Sequence, residues 1–427
     1  MPPPAPRARR PAAPMPEHDA CGVAFVADRA ARASHELLAR GLEALQRLSH
    51  RGAAGERGQS PDGAGVLTAI PWDLVAGDLP ATHRAGHVRR IAGACAVPAS
   101  LVEPALKTAS RALARAGWRA AHWRTVPIDR SALPPRVRAG APVFLQVFAI
   151  APAAAPWSPY RTRRLVEAWW RRAGLEGCSI ASLSERTIVY KALAVPARLP
   201  RLFPDLANPA CATPFAVVHQ RFSTNTLPRW DLAQPFRTIA HNGEINTIRG
   251  NRLWMEARQA DPRGLPSCVR GPDPAVRTDG SDSQSLDDAI ELLRELGDST
   301  PRALVRLLPP AWDDDPRVPP AVRDLYRLQA ASAEPWEGPA AIVFADGRHV
   351  GALVDRNGFR PFRTLETTDG LVCGGSEAGL FDVPPSQVAA RGRLGPGEMI
   401  AVDLERHEVS RGAELQLALA AGHPGAP

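Results

Sequence analysis

The first twenty residues end abruptly at a cysteine that begins an apolar run, and this junction constrains the fold of the 427-residue chain more than any other feature. The segment MPPPAPRARRPAAPMPEHDA is rich in Pro, Ala and Arg. Proline removes backbone donors that a helix needs, and the segment lacks the apolar core of a signal peptide. We therefore expect residues 1–20 to be a disordered leader and order to begin at Cys21, with a strand over 22–27.

Apolar periodicity predicts both strands and helices along the rest of the chain. The expected strands lie at 143–150, 215–222, 236–245, 340–344 and 350–354, the last two joined by an Asp346-Gly347 hairpin turn. The expected helices lie at 35–48 behind a Ser34 cap, near 163–173, from Ser281 or Asp282 to Gly297, and from Thr300 to Pro309. Because hairpin strands and helices occur in separate groups, the predicted fold class is α+β, built in layers.

Composition excludes several classes of function. The formal net charge of +8 and the pI near 9.7 come from scattered arginines, since Lys107 and Lys191 are the only lysines, and no basic stripe interleaved with aromatics indicates a nucleic acid. Neither lysine follows a glycine, which excludes a Walker-type phosphate loop. The six cysteines lie far apart without a C-x-x-C pair, so metal and iron–sulfur sites are not expected. No apolar run approaches the roughly 20 residues of a membrane span, and we expect a cytoplasmic protein.

Cys21 differs from the other cysteines because of where it lies. A lone thiol is most often a small buried hydrophobe with a structural role. Cleavage before Cys21 would expose its own α-amino group, whose ordinary pKa of about 8 allows it to accept the thiol proton near neutral pH. A peptide nitrogen cannot do this. Two interpretations therefore stay open at this point, a structural cysteine and an N-terminal nucleophile.

Two further motifs carry groups that suit an amide substrate with an amino-acid backbone. Asn242 and Gly243 in HNGE offer a side-chain amide and a backbone N–H, the donors that stabilise an oxyanion, although Asn-Gly is also common in turns. Arg221 can hold a carboxylate in a bidentate pair, and Asp282 can hold an ammonium. Each also has a structural interpretation, since an arginine at a strand end is often solvated and Asp282 can simply cap a helix.

Together these blocks resemble a known family, the class II (type-2) glutamine amidotransferase domain of the glutamate synthase large subunit, an N-terminal-nucleophile glutaminase. The resemblance is carried by EHDACGVAFVAD, LSHRGAAG, FAVVHQRFSTNTLPRWDLAQPFRTIAHNGEINTIR, TDGSDSQSLDDAIELL, EPWEGPAAIVFADG, DRNGFRPFR and GGSEAG, in family order from Glu17 to about Asp403. Two positions depart mildly from the family pattern, with Glu337 where Asp is usual and Phe359 where Leu is usual.

The resemblance implies a cleaved propeptide over 1–20 and a catalytic domain over 21–404, folded as a four-layer αββα sandwich of antiparallel sheets. It implies that Cys21 is the nucleophile and that Asn242 and Gly243 form the oxyanion hole. The substrate-binding residues that it implies are Arg51, Arg221, Thr224 and Asp282. Residues 405–427 read as a tail or the stub of a linker.

The activity implied is hydrolysis of L-glutamine to L-glutamate and ammonia through a Cys21 thioester. No cofactor is expected in this chain, because FMN and an iron–sulfur cluster belong to a separate glutamate synthase chain that would receive the ammonia. Glutamine and that flavin-containing chain are the expected partners, and neither nucleic acid nor a membrane is expected. Two alternatives stay open: an amidotransferase serving another ammonia acceptor, and an unprocessed, non-enzymatic glutamine-binding or interaction module.

Overall fold

The structure is a computed structural model that describes residues 21–52, 63–84, 88–151, 157–221, 229–261, 264–266, 269–270 and 273–422. The expected leader, residues 1–20, lies outside these ranges. The strands are β1 (Gly22–Asp28), β2 (Ala64–Ala69), β3 (Arg89–Val97), β4 (Arg119–Thr125), β5 (Val143–Ala151), β6 (Ser179–Ser184), β7 (Thr187–Ala192), β8 (Phe215–Gln220), β9 (Ile239–Gly243), β10 (Ala340–Ala345), β11 (His349–Val354), β12 (Arg363–Thr367), β13 (Leu371–Gly375), β14 (Val388–Arg393), β15 (Met399–Asp403) and β16 (Glu408–Arg411). The helices are α1 (His35–Arg47), α2 (Trp72–Val75), α3 (Val102–Arg115), α4 (Pro135–Ala139), α5 (Pro159–Arg172), α6 (Leu199–Leu202), α7 (Ile248–Ala260), α8 (Asp282–Glu295), α9 (Thr300–Leu307), α10 (Pro320–Ser332) and α11 (Gly412–Ala421).

Two antiparallel sheets form the centre of the fold. The first has seven strands in the order β14-β12-β13-β1-β8-β2-β7, and the second has five in the order β16-β15-β11-β10-β9. β1 is an inner strand, paired antiparallel with β13 and β8. Its continuous apolar run is explained by burial on both faces, because Val23 and Phe25 enter the core between the sheets while Ala24 and Val26 pack toward α1.

Helices cover the outer face of each central sheet. α1 packs Leu38 and Leu45 against the first sheet. On the outer face of the second sheet, α8, α9 and α10 bury residues such as Leu286, Leu304 and Val322. The layer order is therefore helix, sheet, sheet, helix, which confirms the predicted α+β sandwich of four layers. No helix among the described residues is long and apolar enough to cross a lipid bilayer.

A third sheet, with strand order β4-β5-β3-β6, packs against α3 and α5. The predicted strand at 143–150 and helix near 163–173 correspond to β5 and α5. The other elements of this region were not predicted, because their patterns are weak. The edge strand β4, for example, has the sequence RAAHWRT with no buried residue, so it shows no apolar alternation.

Helix starts follow the predicted capping with one difference. Ser34 and Ser281 each accept a hydrogen bond from a backbone N–H of the first turn, so α1 and α8 begin where expected. In α9 the cap is Ser299, and Thr300 takes the first helical position. The predicted strand at 236–245 is shorter than expected and covers only Ile239–Gly243.

Residues 405–422 belong to this fold and are not a tail. β16 pairs with β15 from Ile400↔Arg411 to Asp403↔Glu408, at the edge of the second sheet. α11 then buries Leu415 in the same core as α10. The predicted tail at 405–427 is therefore corrected, and the described fold continues to residue 422. These two elements were not predicted, because β16 is short and largely polar and α11 lacks a distinct polar face.

Candidate active site

Cys21 lies at the start of β1, between the ends of β8 and β13. It is 8% exposed. Because Gly22 lies opposite Gln220 in the antiparallel register, Cys21 lies opposite Arg221. By the alternation of side chains along a strand, Cys21 shares the face of Val23, which enters the core between the two sheets. Its thiol therefore faces the second sheet.

Asn242 and Gly243 end β9, the edge strand of the second sheet. Ala341, opposite Asn242 on β10, belongs to the core between the sheets, so the Asn242 side chain points toward the first sheet. Asn242 is 3% exposed, and its Oδ1 has no hydrogen-bond partner in the described part of the chain. The side chains of Cys21 and Asn242 thus enter the same layer from opposite sheets.

Gly243 occupies a position that admits only glycine. Its φ is +153°, and a β-carbon there would lie 1.8 Å from the carbonyl oxygen of Pro339. The next residue, Glu244, donates its backbone N–H to that same oxygen at 2.9 Å. Asn242-Gly243 is therefore the end of a strand that leads toward α7, and the hairpin-turn interpretation of this dipeptide is wrong.

The backbone of His241, which precedes Asn242, is fixed by two buried side chains. Its N–H donates to Gln234 Oε1 at 2.8 Å, and its carbonyl oxygen lies 3.2 Å from His219 Nε2. His219 is on β8, opposite Val23 on β1. Burial lowers the pKa of His219 to about 3, so the ring is neutral and its Nε2–H donates to the carbonyl. One side chain therefore joins the strand beside Cys21 to the strand that carries Asn242.

Asp282 is the first residue of α8 and contacts the same strand end. Its Oδ2 accepts the N–H of Ile245 at 2.8 Å, and its Oδ1 accepts the N–H of Ser283 at 2.7 Å. The Ser283 hydroxyl lies 2.8 Å from His241 Nδ1. Burial lowers the pKa of His241, Asp282 opposes that effect, and Arg360 reinforces it. Oδ1 also accepts the Ser283 hydroxyl at 3.2 Å, so it is Oδ2 that keeps a second lone pair for a hydrogen bond from an ammonium.

The two predicted arginines occupy different settings. Arg221 has a φ of +87°, in the left-handed region that non-glycine residues seldom adopt, and its N–H donates to the Gly63 carbonyl at 3.0 Å. Arg51 follows α1, and its Nη2 lies 2.9 Å from Glu377 Oε2. The His50 ring lies 3.0 Å from the other oxygen of that carboxylate. Glu377 was not among the predicted site residues, yet its carboxylate forms an ion pair with Arg51, one of the arginines predicted to bind the substrate.

Glu377 lies beside β1, the strand that follows Cys21. Ser376, the preceding residue, donates its N–H to the Val23 carbonyl at 2.9 Å, so Glu377 continues past β13 toward Cys21. The structure thus gathers Cys21, Arg51 and Arg221 at one end of the first sheet. Asn242, Gly243 and Asp282 lie at the facing end of the second sheet. Thr224, the other predicted substrate-binding residue, is in segment 222–228, outside the described residues.

A buried network of charged side chains joins the start of β9 to α8. This network was not predicted from the sequence. The Arg237 guanidinium contacts the carboxylates of Asp287 at 2.8 Å, Asp288 and Glu291. Asp287 also accepts the N–H groups of Thr238 at 2.8 Å and of the first residue of β9. Burial lowers the pKa of Arg237, but the surrounding carboxylates raise it well above its ordinary value, so the guanidinium is charged. A possible signal was the acidic pair at positions 287 and 291, one helical turn apart beside an apolar stripe.

Comparison with known proteins indicates one family for this chain. A family model described as "Glutamine amidotransferases class-II" matches residues 21–425. The glutamate synthase [NADPH] large chain of Azospirillum brasilense is 36% identical over 424 residues, which cover 96% of this chain and 28% of that protein. The chloroplastic ferredoxin-dependent glutamate synthase 2 of Arabidopsis thaliana is 37% identical over 430 residues, which cover 96% of this chain and 26% of that protein.

Among solved structures, one titled as the allosteric regulatory enzyme of purine biosynthesis is similar over 82% of this chain and 48% of that chain, with 13% identity and a TM-score of 0.36. The chain spans about a quarter of the length of the two curated relatives, at 28% and 26%.

Proposed function

Since the chain belongs to the class II glutamine amidotransferases, whose family model matches residues 21–425, we propose that it hydrolyses L-glutamine to L-glutamate and ammonia with Cys21 as the nucleophile. One observation carries the proposal. Cys21 and Asn242 enter the same layer from facing sheets, and the His219–His241 hydrogen bond links β8, the neighbour of the strand that follows Cys21, to the strand of Asn242. The proposal requires removal of residues 1–20, because only then does Cys21 carry a free α-amino group.

The first half of the reaction forms a thioester. The α-amino group of Cys21 takes the thiol proton, and the thiolate attacks the side-chain carbonyl carbon of glutamine. The π electrons of the carbonyl move to its oxygen, and the Asn242 amide and the Gly243 N–H donate to this oxyanion. When the oxyanion collapses, the carbon–nitrogen bond breaks. The α-ammonium protonates the departing nitrogen, so ammonia leaves and the base is regenerated.

The second half of the reaction frees the enzyme. The α-amino group takes a proton from water, and the resulting hydroxide attacks the thioester through a second oxyanion held by the same two donors. Collapse releases glutamate and the Cys21 thiolate, which recovers its proton from the α-ammonium. The burial of Cys21 and Asn242 supports this proposal, because donors fixed away from bulk water stabilise developing charge more strongly.

We assign the ends of the substrate to groups of opposite charge. Arg221 holds the α-carboxylate, and Asp282 holds the α-ammonium with the lone pair that its Oδ2 atom leaves unused. Arg51 completes the pocket with its charge partly offset by Glu377, which makes it a weaker anchor than Arg221. Thr224 is assigned to the same pocket on the family resemblance alone.

The ammonia serves glutamate synthesis at a synthase unit that carries FMN and an iron–sulfur cluster. This part of the proposal is supported by the names of the relatives and by their length. Both are glutamate synthases, and the residues that match this chain make up 28% and 26% of them. The rest of such a protein is long enough to hold the domains that carry out glutamate synthesis.

Intact mass and a glutaminase assay on the same purified sample test the core of the proposal. We expect the mass of a chain that begins at Cys21, glutamate released from glutamine, and loss of that activity in Cys21→Ala. Cys178→Ser is the matched control, because Cys178 is a partly exposed thiol in another part of the fold and its loss should not affect the rate. A sample that begins at Cys21, is folded, and releases no glutamate with or without a synthase chain would refute the assignment.

A further inference from the structure

A groove of about 840 Å³ lies between the loop after α9 and helix α10, outside the proposed glutamine site. Its lining includes Pro310, Trp312, Pro335, Tyr326 and Gln329. The rings of Trp312 and Tyr326 lie 5.9 Å apart and are tilted by 46°. Proline and aromatic side chains thus form much of its wall.

Two side chains in this lining are nearly fully buried and carry polar atoms without partners. Tyr326 is 2% exposed and Gln329 is 3% exposed. The Tyr326 hydroxyl and both the Nε2 and Oε1 atoms of Gln329 have no hydrogen-bond partner among the described residues. Buried polar groups are nearly always satisfied, so these three atoms require a partner that the described residues do not supply. An amide offers a donor and an acceptor side by side, which matches the C=O and N–H of a peptide backbone.

The rim of the groove carries unpaired negative charge. Each arginine that lines it is already paired with a carboxylate: Arg306 with Asp298 at 3.2 Å, Arg317 with Asp315 at 2.8 Å, and Arg356 with Glu337 at 2.9 Å. Asp313 and Asp314 also line the groove and form no ion pair within the described ranges. Arg323 donates to the backbone carbonyls of Asp313 and Asp315 at 2.7 Å each, which fixes the shape of this acidic loop. The groove therefore suits an extended ligand with positive charge.

We propose that this groove binds an extended peptide rich in proline and arginine, and that its occupant is the chain's own N-terminal segment, residues 2–14. That segment reads PPPAPRARRPAAP. Proline-rich peptides dock into aromatic-lined grooves in several recognition domains, because their extended form loses little entropy on binding. Arg7, Arg9 and Arg10 supply the charge that complements Asp313 and Asp314.

Connectivity relates the groove to the end of β9, in the sheet that faces Cys21. Pro335, in the groove lining, is four residues before Pro339, whose carbonyl accepts the N–H of Glu244 beside Gly243. Four residues extend over at most about 14 Å. Residues 15–20, which join residues 2–14 to Cys21, add a tether of at most about 20 Å, and binding within one molecule raises the effective concentration of the peptide at the groove. The inference concerns binding alone and does not depend on glutaminase activity.

Fluorescence anisotropy with a labelled synthetic peptide PPPAPRARRPAAP tests the proposal. We expect saturable binding to protein that begins at Cys21, and at least about tenfold weaker binding to full-length protein, whose own segment occupies the groove. The Asp313→Asn/Asp314→Asn double variant should weaken binding about fivefold or more, and Gln329→Leu should also weaken it. Asp324→Asn is the matched control, an exposed carboxylate on α10 outside the groove lining. Unchanged circular dichroism in the variants shows that they are folded.

Two control peptides separate the proposed chemistry from simple charge attraction. A peptide with every proline replaced by alanine keeps the arginines, and one with every arginine replaced by glutamine keeps the prolines; both should bind more weakly. No saturable binding, equal binding by the proline-free peptide, or full affinity in folded groove variants would overturn the peptide site. Equal affinity of full-length and Cys21-starting protein would overturn the assignment of residues 2–14 as the occupant.

Discussion

His219 donates its Nε2–H to the carbonyl oxygen of His241 at 3.2 Å, and this bond joins the sheet of the proposed nucleophile to the strand of the proposed oxyanion hole. Removing the donor should shift Asn242 relative to Cys21. We predict that His219→Phe lowers kcat by about 10- to 100-fold, because small misplacements of reacting groups are costly. His219→Gln, which keeps an N–H donor, should recover part of the loss. Equal kcat in the wild type and both folded variants would exclude this positioning role.

His219 also predicts how stability depends on pH. Its pKa is about 3 in the folded protein and 6.5 when unfolded, so the unfolded state binds more protons between these values. Stability from this group is complete above about 6.5 and is lost as pH falls toward 3. Between pH 7 and 4.5 the wild type should lose about 2–3 kcal/mol more unfolding free energy than His219→Gln. Urea unfolding at both pH values measures this, and parallel losses in the two proteins would contradict it.

Gly243 should not tolerate a side chain. A β-carbon there would lie 1.8 Å from the Pro339 carbonyl oxygen, so Gly243→Ala must displace the end of β9. We expect kcat to fall by about 100-fold or more, the range seen when one oxyanion donor is removed. Gly250→Ala is the matched control on α7, where nothing lies within 4 Å of the added carbon. That helical glycine should give a gain of about 0.5–1 kcal/mol in stability and no change in rate. Wild-type activity in Gly243→Ala would refute the oxyanion assignment.

Asp282 should affect substrate binding more than chemistry. Asp282→Asn removes the charge proposed to hold the α-ammonium and keeps one oxygen acceptor, so one of the two backbone contacts, to Ile245 or to Ser283, is lost as well. We predict a rise in KM for glutamine of about 10- to 100-fold, the value of a charge-assisted hydrogen bond. Steady-state kinetics should show a much smaller change in kcat. The reverse pattern, with kcat reduced and KM unchanged, would assign Asp282 to the reaction step instead.

The Arg237 network should matter for stability. Arg237→Met leaves the carboxylates of Asp287, Asp288 and Glu291 buried without their shared cation. Breaking a buried ion pair in this way costs about 3–5 kcal/mol, which thermal or urea unfolding will detect. Arg201→Met, which removes an exposed pair with Asp129, is the control and should leave unfolding unchanged. Similar unfolding curves for the two variants would show that the buried network is not stabilising.

Sequence patterns predicted those site residues that lie next to a recognisable local feature, such as a strand start or a helix cap. The junction at Cys21, the Asn242-Gly243 pair and the capped start of α8 at Asp282 are all visible within a few residues of sequence. Glu377 and His219 were assigned no role, because their contacts join positions far apart in the chain. Arg51 and Glu377 are separated by 326 residues, and Arg237 and Glu291 by 54. A lone acidic or histidine residue carries no sign of such a partner, so these contacts required the fold.

The positive φ of Arg221 has a consequence for how this domain can be altered. Glycine adopts +87° without strain, whereas an arginine there stores a cost of about 1–3 kcal/mol. Arg221→Gly is therefore expected to relieve this backbone strain while it removes the guanidinium proposed to hold the substrate carboxylate. The backbone conformation at this position favours glycine. We attribute the arginine there to the proposed binding of the substrate carboxylate. Relief of backbone strain and binding of the substrate carboxylate therefore make opposite demands on the residue at position 221.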